Sequence, residues 1–109
     1  MEPRLPAELH ARAAKIRLLV LDADGVLTNG QLFYGDTGEV LKAFHARDGL
    51  GLRLLRNEGV QLAVISGRAA PALTKRLADL RFHHVLLARD DKRAALDECM
   101  RSAGVSADE

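Results

Sequence analysis

Apolar and polar positions divide this chain into two kinds of segment that alternate along it. Short apolar runs predict the strands of a sheet that is covered on both faces, and they occupy residues 16–22, 60–66 and 84–87. Segments with helical composition or spacing precede and follow these runs, at residues 5–14, 48–58, 70–80 and 91–103. Strands that alternate with helices predict βαβ units, and therefore an α/β fold with a parallel sheet and right-handed crossovers.

The residues near the ends of the predicted helices agree with these boundaries. Pro6 and Pro71 suit the first turn of a helix, where the missing backbone N–H of proline costs nothing. Asp48 is the predicted N-cap of the second helix, because its side chain can accept from a backbone N–H of the first turn. Gly59 and Gly104 suit the positions that follow the second and the last helix.

A β-hairpin is predicted between the first strand and the second helix. Two short strand-like runs, 31–34 and 39–44, flank the four-residue loop "GDTG", in which Asp36 is a typical turn residue. Apolar side chains lie throughout the hairpin, on both of its faces: Leu32, Phe33, Tyr34, Val40, Leu41 and Phe44. A free hairpin is marginal in water, so this apolar surface predicts either packing on its own domain or, as the favoured interpretation, an interface with another chain.

Composition excludes several classes of protein. The chain has 109 residues, the size of one domain, with a net charge of +1 and basic residues spread along it, which argues against nucleic-acid binding. The single cysteine, Cys99, excludes an internal disulfide and a cysteine-cluster metal site, and its apolar neighbours favour a structural thiol. Without an apolar run of about 18 residues or a secretory signal pattern, the expected location is the cytoplasm.

Polar residues follow each predicted strand at the point where it ends. These residues are Asp22 and Asp24, then Ser66, Gly67 and Arg68, and finally Asp91 and Lys92. Each group alone is ambiguous, since an acidic pair in a turn is often only solvated. A calcium loop is excluded, because its glycine stands at the sixth position and Gly25 stands at the fourth. In a parallel sheet, however, the carboxyl ends of the strands share one edge, which is where ligands bind.

Together these residue types predict a phosphate site. One carboxylate can attack phosphorus to form an aspartyl-phosphate, and a second can protonate the leaving alkoxide and later deprotonate water. The negative phosphoryl group needs Mg²⁺, a lysine and backbone N–H groups to balance its charge. Ser66 and the amides around Gly67 can donate to phosphate oxygens, and Gly25 permits a tight backbone turn that exposes amides.

Three motifs make the chain resemble the haloacid dehalogenase superfamily of phosphatases: "LDADGVLTNG", "VISGR" and the lysine of "DDK". The hairpin and the segment after it, "GQLFYGDTGEVLKAFHARDGLG", resemble the 3-deoxy-D-manno-octulosonate 8-phosphate phosphatases, and the resemblance covers residues 16 to about 104. It implies a Rossmann-like, cap-less fold in one domain of residues 1–109. It also implies a phosphoric monoester hydrolase of lipopolysaccharide precursor synthesis, assembled as a homotetramer through hairpin 31–44.

The same resemblance implies roles for individual residues. Asp22 is the expected nucleophile and Asp24 the expected general acid/base, and the Asp22 carboxylate and Asp24 carbonyl are expected to ligate Mg²⁺. The phosphoryl group is expected to bind Ser66, Gly67 and Lys92. The sugar-acid end of the substrate is expected to bind Arg68 and Arg76.

A fourth motif of this superfamily, with acidic residues after a further strand, has no match here. The later acids are Asp97, Glu98, Asp108 and Glu109, and none follows a predicted strand. We therefore expect a truncated form of a longer enzyme, with weak metal binding, low activity and marginal stability. The strand at residues 16–22 is expected to lie at a sheet edge. Two alternatives stay open: a non-catalytic oligomerisation module associated with a sugar-acid nucleotidyltransferase, and a phosphatase for another small phosphate ester.

Overall fold

The computed structural model describes residues 6–31, 33–36 and 38–109, and of residues 38–41 it describes the backbone. Its strands are β1 (Leu18–Leu21), β2 (Phe33–Gly35), β3 (Gly38–Leu41), β4 (Gln61–Ile65) and β5 (His84–Leu86). Its helices are α1 (Ala7–Ala14), α2 (Ala46–Asn57), α3 (Pro71–Asp79) and α4 (Lys92–Ala103). None of the helices in the described part of the chain is both long and apolar enough to cross a membrane.

The predicted parallel sheet is confirmed, with strand order β1–β4–β5. Leu19 of β1 lies opposite Leu62 of β4, and Val64 of β4 lies opposite Val85 of β5. Helices follow β4 and β5 in the sequence, as the pattern predicts for an α/β fold. The carboxyl ends of all three strands therefore lie at one edge of the sheet.

The central strand β4 buries side chains on both of its faces, because alternate residues of a strand point to opposite sides. Leu62 and Val64 join a buried cluster with side chains of α2 and α3. Ala63 and Ile65 join a second cluster with α4, which includes Cys99. Burial raises the pKa of the Cys99 thiol, with a smaller contribution from Glu98. Cys99 is thus buried, as expected of a structural thiol.

Two helix starts differ from their predictions. Helix α2 begins at Ala46 and its N-cap is His45, whose Nδ1 accepts from the Arg47 N–H at 3.1 Å. The prediction of Asp48 as N-cap is therefore wrong, and Asp48 lies in the first turn, where a carboxylate still favours the helix dipole. Pro6 is the N-cap of α1 and not a first-turn residue.

The hairpin is shorter than predicted. Gly35 pairs with Gly38, so the connecting loop has two residues and not four, and β3 ends at Leu41 and not at residue 44. Phe44 bridges to Thr28 and packs against the buried cluster of α2 and α3, so this side chain belongs to its own domain. Phe33 and Tyr34 are exposed, by 42% and 65%. The predictions on the side chains of Leu32, Val40 and Leu41 lie outside the described residues.

Strand β1 forms one edge of the sheet, as expected. In the described ranges no strand pairs with its outer side, although the Glu109 carbonyl accepts from the N–H groups of Arg17 and Leu18, at 2.6 and 3.2 Å. An apolar groove of about 630 Å³ lies between β1 and α2, and its walls include Leu21 and Leu55.

Candidate active site

The loop that follows β1 is held by a set of short-range hydrogen bonds. Ala23 is buried, and its carbonyl accepts from the N–H groups of Val26, Leu27 and Thr28. The Thr28 hydroxyl accepts from the N–H groups of Gly25 and Gly30, both at 3.2 Å. Gly25 has a φ of +79°, which disfavours any residue with a Cβ. The predicted tight turn is confirmed, but the Gly25 amide is committed to Thr28.

The first acidic residue pairs with a lysine from a distant part of the chain. Asp22 Oδ2 lies 3.1 Å from Lys92 Nζ, and Asp22 Oδ1 accepts from the Ala23 N–H at 2.7 Å. Partial burial by itself would raise the pKa of Asp22, but the Ala23 amide and the Lys92 ammonium outweigh it and hold the pKa below its usual range. The predicted meeting of the first and third strand ends is thereby confirmed.

The second acidic residue lies between two cations. Asp24 Oδ1 accepts from Lys42 Nζ at 2.9 Å, and Asp24 Oδ2 lies 3.6 Å from Arg68 Nε. Arg68 follows β4, so the second strand end also reaches the acidic pair. Lys42 is not among the site residues predicted from the sequence. The signal for it is a single lysine inside the apolar run "VLKAF", since a lysine that is buried among apolar residues is usually paired.

The turn after β4 places Ser66 and Gly67 between the neighbouring strand ends. Ser66 is buried, its N–H donates to the Leu86 carbonyl at 3.0 Å, and its hydroxyl accepts from the Arg68 N–H at 3.2 Å. Gly67 is exposed. The turn is therefore fixed against β5, which places its backbone amides at the same sheet edge as Asp22.

Arg76 lies in another environment from the other predicted site residues. Its guanidinium lies 5.8 Å from the centre of the Phe44 ring, and a Cβ at Gly49 would come within 2.7 Å of its Nη2. Its buried Nε has no hydrogen-bond partner within the part of the chain that the structure describes. These contacts place Arg76 against Phe44, which follows the hairpin, and against the start of α2. None of them joins Arg76 to Asp22 or Asp24.

The oxygen atoms of the site suit a hard cation. In the described ranges no three histidine, cysteine or acidic side chains are grouped as a metal cluster. Mg²⁺ is usually held by only one or two carboxylates, together with waters and substrate phosphate. The half-exposed Asp22 carboxylate and the Asp24 backbone carbonyl are hard oxygen donors of this kind.

Several known proteins are similar to this chain, although no family model matches it. The 3-deoxy-D-manno-octulosonate 8-phosphate phosphatase of Haemophilus influenzae is 42% identical over 101 residues, which are 93% of this chain and 56% of that protein. A crystal structure of this phosphatase from Moraxella catarrhalis, in complex with magnesium, phosphate and KDO, is 36% identical. Its TM-score is 0.86, and the matched region is 93% of this chain and 58% of the Moraxella chain.

A hydrolase of the haloacid dehalogenase superfamily, subfamily III A, from Legionella pneumophila is also similar. It is 37% identical, with a TM-score of 0.87, over 94% of this chain and 56% of that one. The chain thus spans a little more than half the length of each of these relatives. By sequence this chain is similar to the 3-deoxy-D-manno-octulosonate 8-phosphate phosphatases of the haloacid dehalogenase superfamily, and it has the fold of that superfamily.

Proposed function

We propose that the protein is a cytoplasmic, Mg²⁺-dependent phosphatase of a phosphorylated sugar acid such as 3-deoxy-D-manno-octulosonate 8-phosphate. The observation that carries the proposal is the meeting of Asp22 and Lys92 at 3.1 Å, from opposite ends of the chain, at the ligand edge of the sheet. The Moraxella relative, which holds magnesium, phosphate and KDO, supports the substrate class. The product would serve the synthesis of lipopolysaccharide precursors.

The first half of the reaction uses both aspartates. Asp22 is the nucleophile: a carboxylate oxygen attacks phosphorus, and the bond from phosphorus to the sugar oxygen breaks. Asp24 gives its proton to that oxygen, so the sugar acid leaves as an alcohol and Asp22 becomes an aspartyl-phosphate. Partial burial would raise the pKa of Asp22, but the Ala23 amide and the Lys92 ammonium lower it overall and so favour the carboxylate form that attacks.

The second half returns both aspartates to their starting state. Asp24, now a carboxylate, takes a proton from water while the water oxygen attacks phosphorus, and the Asp22 carboxylate leaves. Inorganic phosphate is released. Lys92, the Ser66 hydroxyl and the Gly67 N–H bind the phosphoryl oxygens through both steps, because these donors follow neighbouring strands.

Mg²⁺ would be held by the Asp22 carboxylate and the Asp24 carbonyl, and when bound it supplies positive charge that offsets the charge of the phosphoryl group. Arg68, beside Asp24, would bind the carboxylate end of the substrate. Arg76, which lies against the Phe44 ring, would also bind the sugar-acid end of the substrate. We also propose that residues 1–109 form a single cap-less domain, with hairpin 31–44 as an insertion.

Phosphate release from purified protein tests this function. With Mg²⁺, we expect release from the sugar-acid 8-phosphate to exceed release from glucose 6-phosphate, and EDTA to abolish it. Excess Mg²⁺ should then restore it. Equal release from both esters would remove the sugar-acid assignment, and unaltered release in EDTA would remove the metal from the proposal.

Exposed aromatic side chains on the hairpin support an oligomer, and they also keep the non-catalytic assembly module as a second candidate. Phe33 and Tyr34 lie together on β2, both exposed. We propose that they pack against other copies of the chain in a homotetramer, since aromatic side chains are enriched at such interfaces.

We expect size-exclusion chromatography with light scattering to give four times the chain mass of 11.9 kDa. Tyr34→Lys should shift the mass toward a monomer, because it introduces a charge into the interface, whereas Tyr34→Phe should keep the assembly. A wild-type monomer at micromolar concentration would refute the interface. A tetramer without phosphate release under any condition would favour the assembly module over the enzyme.

A further inference from the structure

A lysine outside the expected site residues is buried against the second aspartate. The Lys42 side chain is 1% exposed, and its ammonium lies 2.9 Å from Asp24 Oδ1. Lysine is almost never buried to this degree unless it is paired, because the ammonium loses its hydration. The position of Lys42 is thus tied to the position of the Asp24 carboxylate.

The backbone around Lys42 is fixed to the loop that carries Asp24. Lys42 directly follows β3, and Phe44, two residues later, bridges to Thr28. The Asn29 N–H also donates to the Ala43 carbonyl, at 3.3 Å. Because the two segments are joined just beyond the ion pair, at residues 28–29 and 43–44, the ammonium has a defined place relative to Asp24.

The two oxygens of Asp24 have different surroundings. Oδ1 accepts a short, charge-assisted hydrogen bond from a buried donor. Oδ2 lies 3.6 Å from Arg68 Nε, beyond hydrogen-bond distance, and the Arg68 side chain is half exposed. The carboxylate is therefore hydrogen-bonded through Oδ1, whereas Oδ2 makes only the longer ion pair with the half-exposed Arg68 side chain.

We propose that Lys42 is a positioning residue that holds Asp24 by Oδ1, so that Oδ2 is the oxygen that exchanges the proton. The inference rests on the proposed phosphatase function. During attack by Asp22, the bond from phosphorus to the leaving oxygen breaks and the proton on Asp24 Oδ2 passes to that oxygen. Without Lys42 the carboxylate can rotate, and this proton transfer loses its alignment.

The dependence on the leaving group separates this role from a merely structural one. The alcohol of a sugar phosphate must be protonated as it leaves, whereas p-nitrophenyl phosphate releases a stable anion that needs no proton. The ratio of kcat/KM for the two esters therefore reports on proton donation, because kcat/KM covers the steps up to formation of the aspartyl-phosphate. A lower amount of folded protein would reduce both values equally.

In Lys42→Met, we expect kcat/KM for the sugar-acid 8-phosphate to fall about a hundredfold, the scale of a general-acid contribution. The value for p-nitrophenyl phosphate should fall less than about threefold. Lys42→Arg should recover much of the loss, because a guanidinium can donate to the same oxygen. Lys92→Met should lower both values alike, since Lys92 is proposed to bind the phosphoryl group itself. The exposed Lys75 provides the matched control, and Lys75→Met should change neither value.

The possible outcomes distinguish failure of the proposed Lys42 role from failure of the proposed phosphatase function. Equal losses for both esters in folded Lys42→Met would overturn the role of Lys42 and leave the phosphatase proposal intact. Wild-type protein that hydrolyses neither ester would refute the proposed function, and the role of Lys42 in it would fall as well. Folding is monitored in every variant by far-ultraviolet circular dichroism.

Discussion

Replacing Asp22 with asparagine is expected to lower phosphate release by about a thousandfold or more, the scale that loss of a nucleophile produces. An amide oxygen is a poor nucleophile, so the aspartyl-phosphate cannot form. The substitution keeps the shape of the side chain, and its oxygen can still accept from the Ala23 N–H. It removes the negative charge that faces Lys92 at 3.1 Å. The measurement is the rate of phosphate release with Mg²⁺, beside the circular dichroism spectrum of the same sample.

A matched control distinguishes loss of the nucleophile from loss of an acidic residue in general. Asp79→Asn makes the same chemical change at an exposed residue that ends α3, and it should retain the wild-type rate. Asp22→Asn with an unchanged spectrum and a rate within about tenfold of wild type would exclude Asp22 as the nucleophile.

The sheet and its helices were predictable because their signals are local and repeated along the chain. The apolar run that contains β4 predicts burial on both faces, and Leu62 and Ala63 do lie in different buried clusters. The helix start at His45 was not predictable in this way. The side chains of Asp48 and His45 can both cap a helix. Which of them does so depends on where the chain that leaves the hairpin meets the start of α2.

The candidate site was predictable as far as the topology of a parallel sheet determines it. Asp22 and Lys92 are 70 positions apart, yet each follows a strand, so the sheet brings them together. Lys42 follows a strand of the hairpin, which is not part of that sheet. Its contact with Asp24 depends on how the hairpin folds back over the loop after β1, and strand order carries no information about that placement.

Shortening Leu62 to alanine is expected to lower the free energy of unfolding by about 2–5 kcal/mol, the usual cost of a leucine-sized cavity in a core. Leu62 is fully buried on the central strand, packed with side chains of α2 and α3. Its backbone N–H donates to His83 Nδ1 at 2.9 Å, and alanine keeps that bond. Only the side-chain packing therefore changes, and urea unfolding followed by circular dichroism measures the effect.

This cost is a large share of the stability of a small domain, which is typically about 5–15 kcal/mol. Within the described residues, both outer strands of the sheet, β1 and β5, also lack a further strand beside them. Leu50→Ala is the control, because Leu50 is 58% exposed and should change the free energy by less than about 0.5 kcal/mol. Equal urea midpoints for the two variants would contradict the packing described around β4.

Leu62→Ala should also lose structure and phosphate release together as urea rises, since Ser66 follows the same strand. Asp22→Asn, in contrast, should lose phosphate release while its unfolding curve stays close to that of the wild type, because Asp22 is half exposed and contributes chemistry more than packing.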